Sequence, residues 1–277
     1  MENEDIVGEG LSDFTSEGQD TSSLKEQPDT EDKSGLYPAT CFIILSLVLS
    51  PFISKAVITF DNTLHFPMLV KILFGAFFLQ GMLAFSILTA FFIIPGKISG
   101  WKKKLYLQNW QNKFLMVGPL GALLIFIPLA CVSFLSVYLS NYLKKSLGSN
   151  WRWLFGPEFR IQQYILNMDW NYFFIFAFAA VAVAPVVEEI AFRNVIFRTF
   201  NTKLSTGASI FLTSFLFAVV HMNIENVPAI FLLGVTFQFL FIRYKSVYPS
   251  ILFHMTFNGI SMFLLAGVKY FQLDRCL

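Results

Sequence analysis

Beyond its first 36 residues this chain has almost no acid. Of its 18 Asp and Glu residues, 11 precede position 37, and the rest of the 277-residue chain keeps seven (Asp61, Glu158, Asp169, Glu188, Glu189, Glu225 and Asp274) against 18 Lys and Arg. Cysteine is also scarce. Cys41, Cys131 and Cys276 show no CxxC spacing, which argues against a thiolate zinc site or a disulfide framework. Cys276 is penultimate, whereas a prenylation box needs its cysteine fourth from the end. No internal repeat of fixed period is evident, which counts against an inverted-repeat transporter. No cleavable signal peptide is expected, because the first apolar run starts near Leu36, behind a long acidic segment.

Apolar sequence is abundant. The chain is 55% hydrophobic and 14% charged, with 34 Phe, and it contains several apolar runs long enough to cross a bilayer as helices. These features predict an all-α, polytopic transmembrane bundle of about seven to eight helices. Three regions are expected: an acidic, disordered cytoplasmic tail over 1–36, N-terminal transmembrane helices and loops over 37–165, and a membrane core carrying the chemistry over 166–270. Helices are expected near 37–60, 67–94, 114–139, 171–198, 205–222, 227–243 and 248–268, with Pro95-Gly96, Asn201 to Gly207 and Pro249 marking boundaries. All five Trp (101, 110, 151, 153 and 170) fall between apolar runs, as expected of headgroup anchors.

The loop 95–113 carries Lys97, Lys102, Lys103, Lys104 and Lys113, while the loop before the second helix has no basic residue, so the positive-inside rule puts the N-terminus in the cytoplasm. Residues 140–170, which would then lie outside, carry Lys144, Lys145, Arg152 and Arg160 and suit an interfacial helix. A prokaryotic plasma membrane is the working location. The bilayer is the expected surrounding, and no nucleic-acid partner is expected.

Against this background the adjacent carboxylates Glu188 and Glu189, ending the apolar run 172–187, stand out. A charged side chain at the bilayer centre costs roughly 2.5–3.5 kcal/mol on insertion scales, so it is retained where it serves a function. Residues four apart share a helix face, which pairs Glu189 with Arg193 and turns Glu188 about 100° away. One reading is structural, an ion pair beside one protonated glutamate. The histidines favour a functional one. Of only three, His221 and His254 lie in late apolar helices, and His254 shares a face with Asn258. Glu189 lies 16 residues before Ser205 and His221 16 after it, each about 24 Å along its helix, so a hairpin brings them to one level. His254 lies eight residues past Ser246, roughly 12 Å, and requires either a protruding hairpin or a last helix that starts deeper.

The segments Glu188-Glu189-Ile190-Ala191-Phe192-Arg193, Phe217 to His221 and His254 to Asn258 give E-E-x-x-x-R, F-x-x-x-H and H-x-x-x-N in that order. In these three motifs the stretch from about 170 to 270 resembles the CAAX prenyl protease and bacteriocin-processing (Abi, CPBP) family of intramembrane endopeptidases. The resemblance implies hydrolysis of a peptide bond in a membrane-associated peptide or lipidated protein. Water would be activated between Glu188 and His221, His254 and Asn258 would stabilise the oxyanion, and Glu189 with Arg193 would hold the site together. The family is often labelled metalloendopeptidase, and Glu188, His221 and His254 are the candidates for holding zinc with an open position for water. The zinc-helix motif H-E-x-x-H is absent, and a metal-free glutamate mechanism uses the same residues. Two other classes stay open: a non-catalytic membrane scaffold or immunity protein, and a proton-coupled carrier using the same Glu and His residues.

Overall fold

The computed structural model describes residues 36–49, 78, 80–88, 106–107, 110–147, 165–221 and 223–272, without the side chains of Lys144 and Ile224. The predicted tail, the interfacial helix expected within 140–170 beyond residue 147, and Trp101, Trp151 and Trp153 lie outside that set. Among the described residues the chain is helical, with no strand. In order the helices are α1 (Leu36–Leu49), α2 (80–88), α3 (Phe114–Leu147), α4 (Trp170–Asn201), α5 (Thr206–Val220), α6 (Val227–Tyr244) and α7 (Tyr248–Tyr270).

Four of these, α3, α4, α6 and α7, are long and apolar enough to cross a bilayer. The chain is an integral membrane protein. The fifth predicted span is shorter than expected: α5 has 15 residues, about 22 Å of rise against a hydrocarbon core of roughly 30 Å. It starts at Ser205, whose Oγ accepts the Ala208 N–H at 3.4 Å, and ends at His221, where the helical hydrogen bonds stop. α3 runs eight residues past its expected end at 139, carrying Lys145 into its last turn, where a cation suits the helix dipole.

The core is a tight crossing of α7 with α3, flanked by an α5–α6 hairpin, with the middle of α4 packed against α7. Gly118 makes the α3–α7 crossing possible. A Cβ there would lie 2.7 Å from Leu252 Cβ and 2.9 Å from the Phe253 backbone nitrogen. Gly234 serves the hairpin in the same way, its missing Cβ falling 3.2 Å from Ser214 Cα. Phe192, Phe217, Phe237 and Phe253 form a buried ladder of edge-on rings with centroids 5.1, 5.9 and 5.5 Å apart. Outward positions are apolar too: Met116, Leu124, Ile127 and Phe134 on α3 are exposed, as a lipid-facing surface requires. Trp110 and Trp170 are partly exposed near the starts of α3 and α4.

Candidate active site

The site is built on an irregularity in α4. Residues Ala179–Val183 and Ile190–Phe197 are wound as π-helix, with ordinary α-turns at Ala184–Glu189 between them. Proline explains the first of these. The Ala184 N–H donates five residues back, to Ala179 O, and the next such donor would be residue 185 to Ala180 O. Pro185 has no N–H. Ala180 O instead accepts from Asn258 Nδ2 of α7 at 2.8 Å, so a side chain on another helix replaces the missing backbone donor. π-turns hold more residues per unit rise than α-turns, so Glu189 lies nearer the α4–α5 turn than the ~24 Å that α-helical spacing gives. This lets His254, early in α7, reach it.

Glu189 and Arg193 are completely buried. Arg193 Nε donates to Glu189 Oε2 at 2.9 Å, and its Nη2 approaches Oε1 at 3.4 Å. The guanidinium lies 4.9 Å from the ring centre of Phe217, 5.3 Å from Phe237 and 5.9 Å from Phe192. An aromatic cage offers quadrupole attraction where water is excluded, which compensates part of the desolvation of the cation. On its other side Glu189 Oε1 holds His254 Nδ1 at 3.1 Å, and the imidazole stacks on Phe237 at 4.7 Å. A carboxylate on Nδ1 fixes that nitrogen as the proton-bearing one and points Nε2 at Glu188. His254 Nε2 lies 4.0 Å from Glu188 Oε2.

Glu188 keeps 12% of its side chain exposed, unlike its buried neighbour, and its second oxygen is taken. Gln80 Nε2, on α2, donates to Glu188 Oε1 at 2.7 Å. Sequence reasoning missed Gln80. The signal available was a lone amide in the apolar run 67–94, and nothing in its spacing tied it to a residue 108 positions away.

His221 stands at the exposed end of α5. Its Nδ1 is 2.6 Å from Phe217 O, so this nitrogen donates to the carbonyl and Nε2 carries the lone pair of the neutral ring. The Phe217 ring touches both histidines, with centroid distances of 4.7 Å to His221 and 6.0 Å to His254. The structure thus joins Glu189, Arg193 and His254 through polar contacts, sets Glu188 4.0 Å from His254, and places His221 next to them across one aromatic ring. Asn258 is turned to the α4 backbone, with one of its two amide hydrogens committed there. Among the described residues no three His, Cys, Asp or Glu side chains gather into a set able to hold a metal ion.

The same stretch of chain matches a family model. Residues 170–260 match the type II CAAX prenyl endopeptidase, Rce1-like family. The match covers about a third of the chain, and it is a similarity of this stretch alone. The stretch contains all six motif residues, Glu188, Glu189, Arg193, His221, His254 and Asn258, and leaves out α1, α2 and α3. The chain is also 32% identical over 76 residues to a Bacillus subtilis (strain 168) protein described as "Putative membrane peptidase YdiL", a match covering 27% of this chain and 31% of that protein. The aligned region is therefore under a third of either chain. No solved structure matches the chain.

Proposed function

We propose that this protein is an intramembrane endopeptidase that hydrolyses a peptide bond of a membrane-associated peptide or lipidated protein. The observation that carries the reading is the setting of Glu188. It is a partly accessible carboxylate in a membrane helix, with one oxygen fixed by an amide and the other facing an imidazole nitrogen. Amide hydrolysis needs a base for water, donors for the oxyanion and an acid for the leaving amine. Glu188 Oε2 takes a proton from water as the water oxygen bonds to the scissile carbonyl carbon. His221, with its Nε2 lone pair, shares in orienting that water. His254, held by Glu189 at Nδ1, presents Nε2 to the oxyanion. The proton held by Glu188 then passes to the departing amine as the C–N bond breaks.

A 4.0 Å gap between Glu188 Oε2 and His254 Nε2 is too long for a direct hydrogen bond and short enough to be spanned by one water, at an angle of about 90° for two contacts of about 2.8 Å. Asn258 supports the site first through the shape of α4, and its uncommitted amide hydrogen is the one available to an oxyanion. The setting is a prokaryotic plasma membrane with the N-terminus in the cytoplasm, a topology that reporter fusions at either end of the chain would check.

The test is cleavage of a membrane-peptide library, prenylated C-terminal peptides included, by purified protein and Glu188→Ala, each with and without a strong chelator. Product from the wild type alone, unchanged by chelator, is expected. Proton-driven flux without cleavage would identify a carrier, and equal product from both proteins would remove Glu188 as the base.

A further inference from the structure

The partner of Glu188 comes from outside the Rce1-like stretch. Gln80 is 8% exposed, and its amide nitrogen is spent on Glu188 while its carbonyl oxygen is buried with no hydrogen-bond partner among the described residues. Turning the amide over would set two acceptors against each other and leave the donor end unmet. The observed orientation gives a Glu188 oxygen its donor and leaves the Gln80 carbonyl unmet, which a residue kept only for packing has no reason to do.

A closed circuit of hydrogen bonds holds Gln80 in place. Thr199 and Thr202, at the end of α4, bond to Thr40 at 2.7 Å and Tyr37 at 3.0 Å on α1. Ser46, further along α1, bonds to Ser86 of α2 at 3.1 Å. Leu83 and Ile87 of α2 are buried in the same core cluster as Ile43 and Leu47 of α1. Gln80 then returns the circuit to α4 at Glu188. The Thr40–Thr199 and Ser46–Ser86 links are buried polar contacts between apolar helices, where lipid supplies no competing partner.

We infer that Gln80 is a positioning residue for the proposed water-activating carboxylate, contributed by the N-terminal helices. The inference rests on the hydrolytic reading for its role but not for its geometry. With Oε1 pinned, Oε2 is kept 4.0 Å from His254 Nε2, the span that one water fills. Without the amide the carboxylate swings about its terminal torsion and closes directly on the His254 ring. Water is then displaced from the gap.

The test uses the full chain in lipid nanodiscs with Gln80→Leu and Gln80→Glu. Leu matches the size and suits an apolar helix, so a packing role predicts unchanged or raised thermal stability with wild-type turnover. Positioning predicts that Gln80→Leu melts at or above the wild-type temperature, loses about 10- to 100-fold in kcat and keeps KM within about twofold, as misplacement of a reacting group does. Gln80→Glu, which faces Glu188 with an acceptor, loses more. A second readout needs no substrate: the infrared carboxylate band identified by its loss in Glu188→Gln shifts in Gln80→Leu. Wild-type kcat in Gln80→Leu, or a band that stays where it is, would overturn the inference. Absence of cleavage by the wild type would instead sink the protease reading, with the band still deciding the contact.

Discussion

Replacing Arg193 by Met removes one member of a fully buried ion pair and leaves Glu189 in a space lined by Phe217 and Phe237 with His254 as its remaining polar partner. The 2.9 Å and 3.4 Å contacts are lost together, and no water reaches a side chain with no exposed surface. Removing one partner of a buried pair costs about 3–5 kcal/mol, chiefly because the other charge is left unpaired. At roughly 2–4 °C per kcal/mol for a domain of this size, the melting temperature in detergent falls by roughly 6–20 °C. The paired variant Arg193→Met with Glu189→Gln neutralises both groups and still offers His254 an acceptor. It should recover most of the loss, giving a coupling energy of about 2–3 kcal/mol in a double-mutant cycle. The assay is thermal or denaturant unfolding of the four purified proteins. A cost below about 1 kcal/mol for Arg193→Met, or single effects that simply add, would show that Glu189 and Arg193 do not stabilise each other as a buried pair.

Two further outcomes follow from packing and backbone chemistry. Gly118→Ala drives a methyl to 2.7 Å from Leu252 Cβ, so α3 and α7 must separate, at a cost of about 1–3 kcal/mol in unfolding and with reduced turnover because His254 moves with α7. Gly121→Ala, whose Cβ meets the Phe253 ring at 3.2 Å, should be milder, and equal effects would show that the crossing does not depend on Gly118 in particular. Asn258→Ala leaves Ala180 O unmet and should cost about 1–3 kcal/mol, measured by unfolding, whereas in a Pro185→Ala background a backbone N–H is restored and the same change should cost less. An identical cost in both backgrounds would show that Asn258 does not replace the missing donor.

The helices were legible because apolar runs with Gly and Pro breakers leave few alternatives in lipid, where every backbone group must be satisfied within the segment. The pairing of Glu189 with Arg193 was legible from their four-residue spacing, which the structure keeps although Arg193 lies on a π-turn. What spacing could not give was the neighbour of Glu188, since a contact between residues 80 and 188 depends on how whole helices pack. The role of Asn258 was hidden for a related reason: periodicity placed it beside His254, but its donor goes to a carbonyl that Pro185 orphans on another helix. The short reach of α5 was also unreadable, because the apolar run continues past His221 to Met222 and hydropathy alone does not show where helical hydrogen bonding ends.

Glu188 is proposed to remove a proton from the attacking water. The most direct measurement is single-turnover cleavage of a membrane-embedded peptide by the wild type and by Glu188→Gln, which keeps the side-chain shape and removes the base. The rate should be lower by about 10²- to 10⁴-fold in the variant, with the fold intact by its melting temperature. A rate within tenfold of the wild type would contradict that role.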